Sequence, residues 1–470
     1  MGAPEPAGGL TAEIAALTGQ VRGPVFMPND EGYDAERGGF QTAQQHRPDL
    51  IVGATGAADV RAAVEFAAIR GLPVAVQGTG HALLSVAAEG GVLITTHRMS
   101  GVRVDAEART AWLEAGVRWE QVIHEAAPHG LTPLSGSAPH VGAVSYTLGG
   151  GLGLLSRRYG YAADHVRRID VVTADGQLRH ITAHSDPDLF WALRGGRDNF
   201  GVVTGLGIDL FPVARLYGGG LFFDTELVAD VLDAYRHWTT TVPDELTSSV
   251  ALIPFPDIPQ VPEPLRGRFV AHVRIAYAGD AEAAKRLVAP LRAVGSRLMD
   301  TLEEMPYTAA GSIYNDPTNP HAYSADNAML RELDASALRA VLELAGPDAP
   351  VPCIVQLRHL GGALARPPAI ANSVGHRDAQ YLLIVLSPLD GFDISTVRLV
   401  HQGLIEALAP WTTGRCLNYM YGEKSSAEQV RTAYDPDDYR RLAELKAVYD
   451  PTNIFRLNHN IPPATEHASR

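Results

Sequence analysis

The stretch PVAVQGTGHALLS (residues 73–85) decides the fold of the first part of the chain. An apolar run from Pro73 to Val76 predicts a strand, and Gly78-Thr79-Gly80 breaks that strand just before His81. Small residues at a strand end let backbone N–H groups converge on an anion, although a tight turn without a ligand has the same composition. The stretch therefore predicts either a phosphate-binding loop or a plain turn.

Strand and helix patterns alternate around this loop. DLIVGAT (49–55) is a short apolar strand, and AADVRAAVEFAAIRG (57–71) has apolar residues close to helical spacing before a closing Gly71. Further along, HVRRIDVVTADGQLRHIT (165–182) predicts a hairpin, because Asp175-Gly176 is a favoured two-residue turn. The first part of the chain therefore predicts an α+β domain.

The sequence changes character near residue 215. Residues 216–415 carry long β-like segments, and helix-like stretches lie between them at 280–294 and 335–345. This pattern predicts a second domain built on an antiparallel sheet. The residues after 415 return to the mixed pattern of the first part.

The composition limits the class of partner. The chain has 470 residues and a formal net charge of −14, which argues against nucleic acid or an anionic membrane as the partner. Its two cysteines, Cys353 and Cys416, give neither a disulfide framework nor metal-ligand spacing, so no metal is expected. The N-terminus lacks a signal-peptide pattern, and no apolar run approaches the length of a membrane span. These features predict a cytoplasmic protein.

Common nucleotide-binding and catalytic motifs do not fit the sequence. In GTGHAL, Leu83 takes the place of the third glycine of a dinucleotide fingerprint, and Leu154 does so in GGGLGLLSRRYG. HEAAPH (124–129) misses the spacing of a zinc-peptidase helix and contains Pro128, and no G-x-S-x-G elbow is present. A Rossmann site, a zinc peptidase and an α/β-hydrolase are therefore not supported.

Several separate motifs, in one order, resemble those of the berberine-bridge-enzyme-like oxidases, which belong to the vanillyl-alcohol oxidase superfamily of FAD-linked oxidases. The resemblance covers residues 40–215 and 410–463, and it is looser in the middle through RHLGGAL. The motifs that carry it are PVAVQGTGH, GVLITTHRM, PLSGSAPHVGAVSYTLGGGLGLLSRRYGYAADHV, DPDLFWALRGGRDNFGVVT, RCLNY and YDPTNIFRLNHNIPP.

The resemblance implies the two-domain α+β fold of the vanillyl-alcohol oxidase type. Its PCMH-type FAD-binding domain would be discontinuous, made of residues 1–215 and 416–470 with a core at about 43–213. Residues 216–415 would form the substrate-binding domain, an antiparallel sheet covered by helices.

The resemblance also implies FAD as the cofactor. The Gly78–Gly80 amides would hold its pyrophosphate, and His81 matches the histidine that bonds through a ring nitrogen to the 8α-methyl carbon of the isoalloxazine. Such a bond needs a neutral imidazole. Ala138 stands where many relatives have a second flavin-linking cysteine, so one covalent bond is expected. The implied cofactor contacts are Gln77, Gly78, Thr79, Gly80, His81, Ala82, Ser137, Val141, Gly142, Ser145, Gly149, Gly150, Gly151, Gly201, Val203, Asn418 and Asn458, of which Val141 lies where the family controls oxygen access.

Four residues are candidates for catalysis. Cys416 replaces a tyrosine of related oxidases, and on a regular strand it would share a face with Asn418. It would act either as a thiolate base or as a small neutral side chain that makes room. Gln356 and Arg358 share one face of a predicted strand, where Arg358 suits an anionic or carbonyl-bearing substrate or a structural salt bridge. Tyr146 is a second aromatic candidate at the flavin.

The function implied is that of an FAD-dependent oxidase. It would oxidise a small organic alcohol or amine, such as an intermediate of bacterial secondary metabolism, by hydride transfer to N5 of the flavin, with O₂ as acceptor and H₂O₂ as product. A dehydrogenase, an oxidative cyclase and a non-catalytic flavin-binding protein remain alternatives. Small substrates and O₂ are the expected partners of a monomer or homodimer, and the sequence names no substrate.

Overall fold

The computed structural model describes residues 7–81, 89–421 and 426–465, with side chains from residue 12 onward. Within these ranges the chain forms three β-sheets, and helices pack between and around them. The helices are α1 (Ala7–Gln20), α2 (Tyr33–Arg37), α3 (Ala57–Arg70), α4 (Trp119–Ala126), α5 (Ala143–Leu148), α6 (Ser156–Tyr159), α7 (Pro187–Gly196), α8 (Val228–Trp238), α9 (Ala281–Arg292), α10 (Ala335–Ala345), α11 (Ile394–Ala407), α12 (Ala427–Arg431) and α13 (Pro436–Tyr449).

The first sheet places the glycine loop at a strand end. Its strands are β1 (Val25–Phe26), β2 (Leu50–Gly53), β3 (Val74–Gln77) and β4 (Val92–Thr95), in the order β1-β2-β4-β3. Strand β4 runs parallel to both β2 and β3. Helix α3 buries Val60 and Val64 in the core of this sheet and ends at Gly71, whose φ of 62° is left-handed, as predicted. Because ligands bind at the carboxyl ends of parallel strands, the loop after β3 lies at a binding edge.

The second sheet is antiparallel throughout. Its strands are β5 (Val102–Asp105), β6 (Thr110–Glu114), β7 (Val166–Val172), β8 (Leu178–Ile181) and β9 (Val202–Asp209), in the order β5-β6-β9-β7-β8. The β7–β8 hairpin confirms the turn predicted at Asp175-Gly176, and Gly176 has a φ of 74°. Trp119 of α4, Val144 of α5 and Phe190 of α7 fill the core on this sheet.

The third sheet supplies the opposite wall of the site. Its strands are β10 (Arg215–Phe223), β11 (Leu246–Pro254), β12 (Phe269–Tyr277), β13 (Met299–Asp300), β14 (Glu303–Pro306), β15 (Tyr323–Leu330), β16 (Ile354–His359), β17 (Tyr381–Pro388) and β18 (Thr412–Gly414). Their order is β13-β10-β12-β11-β16-β17-β15-β18, and β14 also pairs with β10. Helices α8 to α11 cover one face through Tyr235, Val288, Val341 and Val397, so the expected helix-covered antiparallel sheet is confirmed.

The α+β fold is confirmed, and one local prediction is wrong. The third sheet spans Arg215 to Gly414 and so begins one residue before the segment 216–415 predicted as the substrate-binding domain, and the division into domains stays a prediction. A strand that contains both Cys416 and Asn418 does not form, because β18 ends at Gly414 and Leu417–Tyr419 is a 3₁₀ helix. No helix among the described residues combines the length and the hydropathy that a membrane span needs.

The side chain of Asn327 explains where β18 ends. The Cys416 N–H donates to Asn327 Oδ1 at 2.7 Å, and Asn327 Nδ2 donates to the Tyr419 carbonyl at 2.9 Å. A side-chain amide thereby takes the place of the main-chain partner that a continued ladder would need. The chain turns at this point, and the face that each following residue presents differs from strand alternation.

Candidate active site

A cavity of about 290 Å³ lies between the loop after β3 and the uncovered face of the third sheet. The segment 136–146 closes a third side. Most of the predicted site residues meet on its lining, which contains Gln77, Gly78, Thr79, Gly80, His81, Ser137, Val141, Gly142, Ser145, Tyr146, Val203, Gln356, Arg358 and Asn418.

Other predicted site residues lie away from this lining. The turn Gly149-Gly150-Gly151 packs against protein: a Cβ on Gly149 would meet Asn418 and one on Gly150 would meet Val374. None of these three glycines is on the cavity lining, and their contact with the flavin stays a prediction. Gly201, Asn458 and Cys416 also lie outside the lining, and Ala82 lies outside the described residues.

The glycine loop is held by its neighbours on both sides. The carbonyls of Thr79 and Gly80 accept hydrogen bonds from the N–H groups of Phe40 and Gln41 at 3.1 and 3.0 Å. Gly80 has a φ of 68°, and a Cβ there would lie 2.4 Å from the Cα of Gly39. A Cβ on Gly78 would meet only Thr96 Oγ1, at 3.7 Å. Gly80 is therefore required for close packing, whereas Gly78 leaves open space along the cavity.

His81 is held in one orientation as a neutral imidazole. Its ring stacks on Phe40 with a centroid distance of 4.0 Å, and its Nδ1 lies 2.8 Å from Thr79 Oγ1. Burial, assisted by the nearby His140, lowers the pKa of His81 to about 3. Its Nε2 is buried and has no protein partner among the described residues. The ring nitrogen that stays free is thus Nε2, on a side chain that lines the cavity.

Neither cysteine of the chain lines the cavity. Ala138 occupies the lining at the position of the second flavin-linking thiol. Cys353 is buried within the core of the third sheet, where Ser387 Oγ lies 3.6 Å from its sulfur. The prediction that Cys416 faces the cavity beside Asn418 fails, because the assumed strand is absent.

Cys416 instead borders a separate cavity of about 20 Å³. Its side chain packs into an apolar cluster with Tyr161 and Met329. Burial raises the pKa of the Cys416 thiol to about 11, so the neutral thiol dominates at physiological pH. This environment does not support Cys416 as the catalytic base.

Arg358 and Tyr419 form the polar part of the third-sheet wall. The guanidinium carbon of Arg358 lies 5.1 Å from the ring centre of Tyr419 and 5.0 Å from that of Tyr314. Its Nη2 donates to Gln356 Oε1 at 3.3 Å. Among the described residues no carboxylate lies within 4.0 Å of this guanidinium, so the structural salt bridge is not observed.

Tyr146 contributes a buried phenol to the opposite side. Its ring meets Trp119 edge-on at 5.5 Å, and its hydroxyl has no hydrogen-bond partner in the described part of the chain. Burial, together with the neighbouring Tyr419, raises its pKa well above the usual value for tyrosine. The neutral phenol is therefore the form present at physiological pH.

Sequence reasoning missed several cavity residues. The predicted site residues do not include Tyr419, which ends the RCLNY motif, or Tyr421, which follows two residues later, although both line the cavity. The segment NDPTNPHAY (315–323) brings Asp316, His321 and Tyr323 to the lining. Its concentration of Asn, Asp and Pro next to aromatic residues is the signal that could have identified it as a functional loop.

The polar atoms around the cavity fit a large polar ligand such as FAD. Gln77 Oε1, His81 Nε2, Tyr146 OH and Arg358 Nε are buried without a protein partner among the described residues. Because buried polar atoms are nearly always hydrogen-bonded, four such atoms on one lining indicate a ligand with several donors and acceptors. The open space at Gly78 lets that ligand approach the backbone.

Family comparison identifies two segments of the chain. Residues 48–182 match the FAD binding domain, and residues 417–462 match the family described as berberine and berberine like. The first segment contains the glycine loop with His81, and the second contains Asn418 and Tyr419.

Relatives match over nearly the whole chain. An (R)-6-hydroxynicotine oxidase from Paenarthrobacter nicotinovorans is 28% identical over 94% of this chain and 97% of its own length. A chitooligosaccharide oxidase from Gibberella zeae is 24% identical, with coverage of 94% and 93%.

Solved structures agree with this comparison. A 6-hydroxy-D-nicotine oxidase from Arthrobacter nicotinovorans is 25% identical with a TM-score of 0.79, covering 94% of this chain and 98% of that one. A chitooligosaccharide oxidase structure, 21% identical with a TM-score of 0.83 and coverage of 96% and 100%, shows the shared fold. The chain is therefore an FAD-linked oxidoreductase that carries the FAD-binding and berberine-like domains of the berberine-bridge-enzyme-like oxidases.

Proposed function

We propose that this oxidase holds FAD through one covalent 8α bond to His81 and oxidises a small organic alcohol or amine, with O₂ as acceptor. Bound FAD would supply the redox chemistry, as the acceptor of a hydride from the substrate and as the group that O₂ reoxidises with H₂O₂ as product. Val141 is the proposed residue beside the path of O₂, and it lines the cavity.

The state of His81 carries this proposal. A covalent bond requires an unprotonated ring nitrogen, and burial lowers the pKa of His81 far enough to keep the ring neutral. The contact between Nδ1 and Thr79 fixes the ring, while the partnerless Nε2 is the nitrogen available for bonding. Ala138 supplies no thiol, so a second protein–flavin bond is not expected.

The named substrates of relatives support the substrate class. One relative is named for a hydroxynicotine, which is an amine, and another for a chitooligosaccharide, which carries many hydroxyl groups. The cavity has the phenols and the amide that would position either group.

Tyr419 is our candidate for the phenol that forms a hydrogen bond with the reacting group of the substrate. Burial raises the pKa of Tyr419 well above the usual value for tyrosine even though Arg358 opposes the shift, so the neutral phenol is present at physiological pH. Burial raises the pKa of Tyr146 in the same way, and Arg358 opposes that shift as well. None of Tyr419, Tyr146 and Cys416 is therefore favoured as a base, and Tyr419 is preferred to Cys416 as a substrate contact because it lines the cavity on the third-sheet side.

Two experiments test the proposal. The purified holoenzyme is precipitated in acid, and we expect the yellow flavin to stay with wild-type protein and to enter the supernatant from His81→Ala. A panel of alcohols and amines is then mixed anaerobically with the enzyme, and O₂ is added while peroxide is measured. Free flavin from the wild type contradicts the covalent bond. Reoxidation only by an added dye indicates a dehydrogenase, and a cyclised product identified by mass spectrometry indicates a cyclase.

A further inference from the structure

Arg358 lacks the partners that a buried arginine normally has. Its side chain is on the cavity lining and the residue is 8% exposed. Its one hydrogen bond to a described residue is the 3.3 Å contact from Nη2 to Gln356, and no described residue is a hydrogen-bond partner of its buried Nε. Burying a guanidinium with so few acceptors is unfavourable unless a ligand completes them.

Other buried arginines of the same chain donate their N–H groups to backbone carbonyls. Arg157 donates to the carbonyls of Leu246 and Leu360. Arg194 donates to the carbonyls of Phe190 and Ile370, among others. These arginines serve the fold, because the backbone supplies their acceptors, whereas no backbone carbonyl accepts from Arg358 in the described part of the chain.

The buried charged groups near Arg358 carry more positive than negative charge. Arg274, on β12, is 4% exposed, its guanidinium carbon lies 4.5 Å from the ring centre of Tyr314, and its buried Nη1 has no partner within the described ranges. The carboxylate whose charge acts on both arginines is Asp316, which accepts a hydrogen bond from Ser137 at 2.7 Å. Two buried guanidiniums thus face one carboxylate, which lies beyond ion-pair distance of either.

The cavity holds a second arginine with a different environment. Arg197 precedes β9 of the second sheet, and its Nη1 lies 3.4 Å from His459 Nδ1. Arg358 instead projects from β16 of the third sheet, between the rings of Tyr314 and Tyr419. Rings near a guanidinium leave its N–H edge for a planar acceptor with two oxygens.

We propose that the substrate carries a carboxylate and that Arg358 binds it, with Gln356 holding the guanidinium in position. This inference rests on the proposed function, in which the third-sheet side of the cavity receives the substrate. The carboxylate is an anchor that does not react, and the alcohol or amine to be oxidised lies elsewhere on the same molecule. Substrates of this class are hydroxy acids and amino acids with a spacer, or larger molecules that carry an acid group.

The test compares two ligands of nearly the same shape. Benzoate and benzamide are titrated into the oxidised holoenzyme, and binding is measured by calorimetry and by the change in flavin absorption. We expect benzoate to bind at least about tenfold more tightly, because only the carboxylate makes charge-assisted hydrogen bonds with the guanidinium. Equal affinity for the two ligands, or no binding of benzoate, overturns the proposal without bearing on peroxide production.

Variants locate the preference. Arg358→Gln should abolish the preference for benzoate, and Arg358→Lys should retain part of it, because lysine keeps the charge but loses the planar fork. Arg366→Gln is the control, since it removes the same charge from an exposed side chain that pairs with Asp244. A preference that survives in Arg358→Gln, or that is lost equally in Arg366→Gln, refutes the assignment. If Arg358→Gln alters the oxidised flavin spectrum but leaves the preference intact, the arginine serves the flavin and the proposal is also wrong.

Discussion

Substituting Gly149 tests how the glycine turn acts on the site from outside the cavity. Gly149 has φ and ψ of −91° and 16°, which alanine adopts without strain. Its Cβ, however, would lie 2.0 Å from Asn418 Oδ1. Asn418 lines the cavity and its Nδ2 donates to the Tyr146 carbonyl at 2.9 Å. Gly149→Ala should therefore displace a cavity residue through a pure clash.

The size of the effect follows from these distances. Asn418 Oδ1 must move from 2.0 Å to at least 3.4 Å from the new methyl group, and this movement breaks the bond to Tyr146. Loss of the hydrogen bond costs about 0.5–1.5 kcal/mol. Overpacking adds about 1–3 kcal/mol. We expect a total destabilisation of roughly 1.5–4.5 kcal/mol, together with a changed environment at Asn418.

Gly150→Ala is the matched control, because it introduces strain without a clash. Gly150 has a φ of 106°, which costs an alanine about 1–2 kcal/mol. Its Cβ would meet the Val374 methyl groups at 3.5 Å, an ordinary contact. Gly150→Ala should thus destabilise the protein without moving any residue of the cavity.

Two measurements separate the variants. Thermal unfolding reports stability, with roughly 2–4 °C expected per kcal/mol for a unit of domain size. Visible circular dichroism of bound FAD reports the cavity. We expect both readouts to change in Gly149→Ala and only the melting temperature to change in Gly150→Ala. Wild-type dichroism in Gly149→Ala, or a dichroism change confined to Gly150→Ala, would refute this account of the turn.

The remaining predictions concern the thiol, the phenol, a buried neutral histidine and a buried ion pair. Cys416→Ser should leave the rate of flavin reduction within about threefold of wild type, because a thiol with a pKa of about 11 is almost fully protonated at pH 7. A loss of rate of about 10²-fold or more would show instead that the Cys416 thiol acts as a base. Tyr419→Phe should slow flavin reduction by about 2–10-fold in anaerobic stopped flow while FAD content stays unchanged, because it removes one hydrogen bond to the substrate; an unchanged rate excludes that hydrogen bond. Burial lowers the pKa of His459 to about 3, so the unfolded chain gains a proton below about pH 6.5 that the folded chain excludes. Its contribution to stability should fall between pH 6.5 and 3 by up to about 1.4 kcal/mol per pH unit, and His459→Gln should flatten the dependence of melting temperature on pH. Lys446→Met should cost about 3–5 kcal/mol because it leaves the buried carboxylate of Asp450 unpaired, and a melting temperature near wild type would contradict this.

Local structure in this chain follows from local sequence. The helix that ends at Gly71 and the hairpin at Asp175-Gly176 form where the residue spacing and turn chemistry place them. Helix α10 has the bounds expected from its periodicity, 335–345. Each of these elements depends on contacts between residues a few positions apart, which periodicity and capping describe directly.

The order of the strands within each sheet does not follow from local sequence in the same way. Strand β11 pairs with β12, which is close in sequence, and also with β16, which is about a hundred residues away. Alternating apolar residues show that each segment is a strand, but this pattern does not depend on which strand lies beside it in the sheet. Local sequence therefore could not predict that β16 lies opposite the glycine loop. That position follows only from the resemblance or from the structure.

The position of Tyr419 shows how an error in one predicted strand end changes which residues are assigned to the site. Neighbouring residues on a strand point to opposite faces, so Asn418 and Tyr419 could not both line one cavity on a regular strand. They do so here because Leu417–Tyr419 is a 3₁₀ helix, in which successive side chains turn by about 120°. Cys416 thereby leaves the cavity side, while Tyr419 brings a phenol to the lining three residues later. Replacement of the usual tyrosine by cysteine consequently does not deprive this cavity of a phenol, and Tyr419 rather than Cys416 is the residue of this segment placed to form a hydrogen bond with the substrate.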